Sequence, residues 1–390
     1  MKGYIIQNAT LFDGLSIKEK MSIRFKDGII EEICPKIDCR KDYITIDATD
    51  HILSPGYIDT HTHGSFGVGV EDNDERAILK WSKAIIRTGV SSFFPTTYTS
   101  SLDNMASSYR AILRAMGKEE GARILGINHE GPFISENRAG GQDKKGIIPF
   151  TKESFDILTR QGGVKAMTVA VEKNGLEELS DLAKDKHITL MAGHTDCTGK
   201  DMQRAKKLGL KGVTHLFNAM SPLNHRSLGC AGYALTDDDL YTEIIADSYH
   251  VAPEIVHLVY KIKKDRAVLI TDSLRPSHLK TRCFNINGIE STIENGVFVS
   301  RKDPSLIVGS CLSMDKGVRN LVSWGVPLVD ALKSATSNPA TLHGLEGLGF
   351  LKPSYKADIL VLDRELKVKA LFIDGLLKEG FIGKEVNYVV

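Results

Sequence analysis

The chain has 390 residues, 50 Lys and Arg against 49 Asp and Glu for a formal charge of +1, 42% hydrophobic residues and 35 glycines. That length exceeds one ordinary core, so a large domain with a smaller one, or a long barrel, is expected. Balanced charge leaves no global field to attract nucleic acid or an anionic membrane, and no apolar run approaches the ~18 residues of a membrane span. The opening Met-Lys-Gly-Tyr-Ile-Ile-Gln-Asn has no long apolar segment or cleavage site, so a cytoplasmic location is expected. The six cysteines (Cys34, Cys39, Cys197, Cys230, Cys283 and Cys311) form no Cys-x-x-Cys pair and read as reduced thiols.

Residues 1–54 read as short strands punctuated by turns: Tyr4 to Asn8, Met21 to Phe25, Ile29 to Ile33 and Ile44 to Asp47, with turns at Asp13-Gly14 and Asp27-Gly28. The last forty residues read alike, with strands at 357–363 and 368–373 and a turn at Asp374-Gly375. Two β segments at opposite ends of a chain can pair into one small domain. The expectation is a composite β-sandwich of 1–54 and 348–390, with 55–347 inserted between its halves.

The middle alternates strand and helix. Apolar β-rich runs fall at about 56–63, 90–97, 123–130, 164–171, 187–194, 211–216, 241–247 and 267–272, with amphipathic helical stretches such as Asp74 to Arg87, Asp103 to Met116 and Glu177 to Lys184. Eight such units predict a (β/α)8 barrel, whose chemistry sits at the C-terminal ends of the strands. A doubly wound open sheet is the alternative, but Gly64, Gly67 and Gly69 are misspaced for its phosphate-binding turn and no Walker A motif occurs.

The strand ends carry one chemical type. The first holds His61 and His63, two apart and so on one face of a strand. The third ends in Glu130, the fifth in His194, the sixth in His215 and the eighth in Asp272. Imidazole and carboxylate without thiolate suit Zn²⁺ or Fe²⁺ with a position left open for water. Glu130, His194 and His215 make one three-ligand site, and His61 and His63 with Glu130 bridging make a second. A bound metal lowers the pKa of its water to about 7 and polarises a carbonyl under attack. Asp272 then suits a general base that takes the water's proton and returns it to the leaving group. Hydrolysis at a carbonyl is the implied reaction.

Local anion recognition is also readable. Asn218-Ala219-Met220 follows a strand end where backbone N–H groups are free to cradle an anion, and Arg226 and His250 can add charge-assisted hydrogen bonds, the alternative from the residues alone being a solvated loop arginine and a strand-end histidine of no role. His129 faces away from Glu130 and reads as structural, as do His51, His187, His257, His278 and His343 off the strand ends.

With these residues in place the chain resembles the amidohydrolase superfamily and, within it, the N-acetylglucosamine-6-phosphate deacetylase branch. The resemblance rests on Pro55-Gly-Tyr-Ile-Asp-Thr-His-Thr-His-Gly, Glu130-Gly-Pro-Phe, Gly193-His-Thr-Asp, Thr214-His-Leu-Phe-Asn-Ala-Met, His225-Arg, Ala246-Asp-Ser-Tyr-His-Val, Thr271-Asp-Ser, Asn338-Pro-Ala and Lys356-Ala-Asp-Ile. It implies loss of acetate from an amino-sugar 6-phosphate. It also implies a main metal on Glu130, His194 and His215, acid/base work at Asp272, and phosphate recognition by Asn218, Ala219, Arg226 and His250. Some members bind one metal and lack histidine at the positions of His61 and His63; both are present here, so one or two ions are expected. The resemblance further implies a homodimer with the phosphate site near its interface.

The chain also departs from the branch. His225-Arg-Ser-Leu-Gly replaces the usual His-Arg-x-Pro-Gly, Asn128 stands where histidine is frequent, and Gln142 stands where some relatives place a histidine that orients the acetyl carbonyl. Gln can donate a hydrogen bond there but no proton. Galactosamine or another amino-sugar phosphate is the alternative substrate. Cyclic-amide amidohydrolases need a lysine at the end of strand four, whereas Lys165 lies at its start. A barrel kept only as a non-catalytic module would be expected to have lost ligands or Asp272.

Overall fold

A computed structural model of the protein describes residues 3–280 and 283–380. Strands from both ends of the chain form one eight-stranded sheet, in which Ile359–Leu362 pairs antiparallel with Ile52–Pro55 and the long strand Gly3–Phe12 continues the order outward. Residues 381–390 of the expected C-terminal β region lie outside the described residues.

Side-chain alternation explains the sheet's place. Ile359 and Val361 join Ile6, Ile23, Phe25 and Phe372 in a core of the sheet's own, where Phe25 meets Phe372 edge-on at 5.2 Å. Leu360 and Leu362, with the opposite parity, join the large core shared with the barrel. Both faces are therefore apolar, which is why 359–362 reads as an unbroken hydrophobic run. The half-buried Arg123 pairs with buried Asp358 at 2.7 Å and ties the sheet to the barrel.

The barrel strands are Tyr57–Thr62, Val90–Thr97, Ile127–Glu130, Val164–Val169, Thr189–Ala192, Gly212–Val213, Tyr241–Ile245 and Ala267–Ile270, each parallel to the next. The helices Glu75–Ile85, Leu102–Ala115 and Leu176–Asp185 fall within two residues or so of the predicted stretches. Strands five and six are shorter than expected, because His194 and His215 have φ of 47° and 32° and cannot continue extended backbone. The last strand closes on the first through Thr271 and Asp272, whose N–H donates to His61 O at 2.9 Å.

One element went unread in the sequence. After strand eight an antiparallel sheet, Cys283–Ile286, Ile289–Glu294, Val297–Ser300 and Ile307–Ser310, folds beside the strand ends. Its two tight turns are Asn287-Gly288 and Asn295-Gly296, all four residues at positive φ. Asn-Gly is the strongest short hairpin signal, so the information was present in the residues. Among the described residues no helix is long and apolar enough to cross a membrane.

Candidate active site

Four imidazoles surround one carboxylate. Glu130 Oε1 lies 2.8 Å from His215 Nε2, 3.0 Å from His194 Nε2 and 3.5 Å from His61 Nε2, while Oε2 lies 3.2 Å from His63 Nε2. His194 Nε2 and His215 Nε2 are 3.2 Å apart. Asp272 Oδ1 faces the same centre, 3.2 Å from His63 Nε2 and 3.7 Å from His61 Nε2. All six side chains are buried.

The orientation of these rings argues for a cation between them. His63 Nδ1 donates to Thr96 O and His194 Nδ1 to Arg138 O, each at 2.8 Å. A neutral ring that donates through Nδ1 presents a lone pair at Nε2. Lone pairs then point at Glu130 oxygens, an arrangement that repels unless a proton or a metal ion intervenes. The Nε2 of His61, fully buried, has no hydrogen-bond partner among the described residues. Two ligand groups lie within metal-binding reach: Glu130 with His194 and His215, and Glu130 with His61 and His63. The donor set fits a divalent ion of the Zn²⁺ or Fe²⁺ kind.

The protonation of these side chains tells the same story. Burial alone would raise Glu130, but the neighbouring His61 and His194 hold its carboxyl well below the usual range. Burial likewise opposes charge on His63, yet hydrogen bonds to Asp272 and Glu130 push it up to about 9. Asp272, despite its burial, is lowered by His63 and His61. The centre is thus a cluster of carboxylates that draws in positive charge.

The backbone supplies the aim. His194, His215 and Asp272 all sit just beyond strand ends at left-handed φ, 47°, 32° and 48°. Non-glycine residues rarely adopt this conformation, and such strain concentrates at functional sites.

Glu130, His194, His215, His63 and Asp272 line a cavity of about 240 Å³, and Gln142, Asn218, Ala219 and His250 of the sequence expectation line it too. His61 lies deeper, at 0% exposure. Gln142 is committed to the centre itself: its Nε2 donates to Glu130 Oε2 at 2.5 Å and its Oε1 accepts from Thr99 N at 2.7 Å. The Asn218 N–H is not free as the sequence reading had it, for it donates to His215 O at 2.9 Å. His250 Nδ1 pairs with Asp247 Oδ2 at 2.6 Å; burial opposes its charge, but Asp247 raises it above the ordinary imidazole value. Arg226 is exposed on the loop between Ser221 and Gly229 and is not among the residues lining this cavity.

Two parts of the wall escaped sequence reading. Tyr98, directly after strand two, stacks on the His63 ring at 4.0 Å and 9°, and its buried hydroxyl has no partner among the described residues. The signal was its place: strand two, like strands four and seven, had no residue assigned at its end. Ser305 to Gly309, from the unforeseen antiparallel sheet, closes another side.

A parallel barrel with such a centre above its strand ends defines a metal-dependent barrel hydrolase. Residues 52–378 match the amidohydrolase family, and the chain belongs to that family. The chain is 32% identical over 363 residues to an N-acetylgalactosamine-6-phosphate deacetylase of Escherichia coli O157:H7, covering 91% of this chain and 94% of that one. It is 31% identical over 390 residues to an N-acetylglucosamine-6-phosphate deacetylase of Lysinibacillus sphaericus, covering 98% of each. The crystal structure of N-acetylglucosamine-6-phosphate deacetylase from Thermotoga maritima superposes with a TM-score of 0.87 at 26% identity, covering 97% of this chain and all of that one.

Proposed function

We propose that the chain removes acetate from N-acetylglucosamine 6-phosphate, giving glucosamine 6-phosphate, in amino-sugar catabolism or cell-wall recycling in the cytoplasm. The observation that carries this reading is the convergence of four imidazole Nε2 atoms on Glu130 beside Asp272. The substrate class is supported by the names of the relatives.

Glu130, His194 and His215 would hold one divalent ion, Zn²⁺ or Fe²⁺, and His61 and His63 with Glu130 would hold a second. When bound, such an ion supplies Lewis acidity, lowering the pKa of a water and polarising the amide carbonyl. Asp272, its pKa lowered, is ionised at neutral pH and so enters as a base. It takes a proton from the attacking water and returns it to the amine nitrogen as the C–N bond breaks. Gln142, held by Glu130 and Thr99, offers its remaining amide N–H to the acetyl carbonyl.

The 6-phosphate meets His250, Asn218 and Ala219 along the same cavity. Arg226 is exposed outside its own cavity, as its contribution to this site from a second copy of the chain would require. A homodimer is supported by exposed apolar residues, Leu223 and Leu228 on the same loop and Ile255, Leu258 and Ile262 on the helix Pro253–Lys263.

A second reading, N-acetylgalactosamine 6-phosphate as the preferred substrate, is favoured by the 32% identity to the Escherichia coli protein of that name. Acetate release from both sugars by metal-replete protein decides. Preference for the glucosamine epimer by about tenfold or more in kcat/KM is expected; the reverse ratio selects the second reading. No acetate from either, with Asp272→Asn indistinguishable from wild type, would sink the hydrolytic reading.

A further inference from the structure

Glu243 lies in the middle of barrel strand seven, 2% exposed, and the reaction above does not use it. A carboxylate buried this deeply is costly unless something compensates its charge. Thr60 Oγ1 donates to Oε1 at 3.4 Å, while Oε2 has no hydrogen-bond partner among the described residues. The charged contact of Oε2 is His61 Nδ1 at 3.6 Å.

His61 is held differently from two of its fellow rings. His63 and His194 donate Nδ1–H to backbone carbonyls at 2.8 Å. His61 Nδ1 instead faces two side chains with opposite demands. Asn128 Nδ2, which donates to Thr60 O at 3.1 Å, is 3.5 Å from it and offers a proton. Glu243 Oε2 can only accept one. The outcome sets the ring: a proton on Nδ1 leaves a lone pair at Nε2 for a metal, whereas a hydrogen bond from Asn128 would leave the proton on Nε2. At 3.6 Å the carboxylate contact is electrostatic and not a formed hydrogen bond, but a full negative charge favours a proton on the facing nitrogen more than the neutral amide at 3.5 Å opposes it.

We propose that Glu243 is the positioning residue of the second metal site. Its charge favours the tautomer with the proton on His61 Nδ1, which would leave the Nε2 lone pair for an ion that His61, His63 and Glu130 would hold. Carboxylates in this outer position commonly change metal affinity by about 10–100-fold. The inference rests on the reading of His61, His63 and Glu130 as a second ion site.

The test is metal binding, independent of turnover. Metal-stripped wild type, Glu243→Gln, His61→Asn and the double variant are titrated with Zn²⁺ by calorimetry, with elemental analysis of bound metal. Wild type is expected to take two equivalents. Glu243→Gln is expected to keep the tighter one and lose about 10–100-fold on the weaker, and the double variant to bind no worse than His61→Asn. Asn128→Ala, which removes the competing donor without touching Glu243, is expected to hold the second equivalent at least as tightly as wild type. Unchanged affinity for both ions in Glu243→Gln, weaker second binding in Asn128→Ala, or a further loss in the double variant overturns the assignment of Glu243. A wild type that saturates at one equivalent overturns the two-ion reading and the proposal with it. Retention of the tight equivalent shows that a variant is folded; if Glu243→Gln retains neither, the Asn128→Ala titration decides.

Discussion

Thr271, just past the last barrel strand, donates its hydroxyl to Asp59 Oδ2 on the first at 2.6 Å, and its N–H lies 3.3 Å from Asp59 Oδ1. This contact closes the barrel beside the centre, since His61 and His63 follow Asp59 and Asp272 follows Thr271. Burial pushes the Asp59 carboxyl up to about 7. Thr271→Val removes a donor from a fully buried acceptor, a loss of about 1–3 kcal/mol. Urea unfolding of metal-replete protein should show a lower midpoint at unchanged slope; an unshifted midpoint would mean that the seam holds without this bond.

Asp272→Asn removes the proton acceptor but keeps shape and hydrogen-bonding capacity. Turnover is expected to fall by about 10²–10⁴-fold, with KM and metal content near wild type. Steady-state kinetics with elemental analysis checks this, and a kcat within a few-fold of wild type contradicts the assignment.

Chelation should destabilise the protein, because the free energy of ion binding to the folded state is then lost. An ion present at about 100 times its Kd stabilises by about 2.7 kcal/mol. Melting curves with and without chelator, and for Glu130→Gln, check this. The variant is expected to lose the metal-dependent shift, since both ligand groups share Glu130.

His250 gives a pH dependence with a definite sign. Burial opposes its charge, but the Asp247 partner outweighs this and raises its folded pKa above the ordinary imidazole value. Its contribution to stability is therefore fully present below the unfolded value of about 6.5 and lost as pH rises through the raised folded one. His250→Gln should cost more stability at pH 6 than at pH 9. The same ionisation should weaken use of the phosphorylated sugar at alkaline pH, a limb of the kcat/KM profile that flattens in the variant.

Arg226→Ala should raise KM for the 6-phosphate sugar and leave the unphosphorylated sugar little changed. Because Arg226 stands outside its own cavity, mixing this variant with Asp272→Asn should restore activity above either parent through mixed dimers. Equal losses on both sugars would show that Arg226 does not read phosphate.

The residue types and their strand ends were legible because barrel strands impose a simple periodicity: His61 and His63 two apart on the first, then Glu130, His194, His215 and Asp272 at the ends of the third, fifth, sixth and eighth. Gln142 was read as facing substrate, yet it also buttresses Glu130, a contact across twelve residues that no periodicity encodes. Tyr98 was missed because an aromatic after a strand has many ordinary uses. The Asn-Gly pairs at 287–288 and 295–296 carried a hairpin signal, but nothing local says that the hairpins fold back over the strand ends.

What the sequence by itself determined is the inventory: an alternating strand–helix body, β segments at both termini, and a carboxylate–imidazole set at strand ends. Side-chain period and residue chemistry are local properties, and they survive without knowledge of the fold. Which nitrogen of each ring faces Glu130, that Glu243 stands behind His61, and that Arg226 lies outside its own cavity were decided only by tertiary structure. Those facts depend on distances between residues up to 182 positions apart, as for His61 and Glu243, and such distances are set by barrel closure, not by any pattern along the chain.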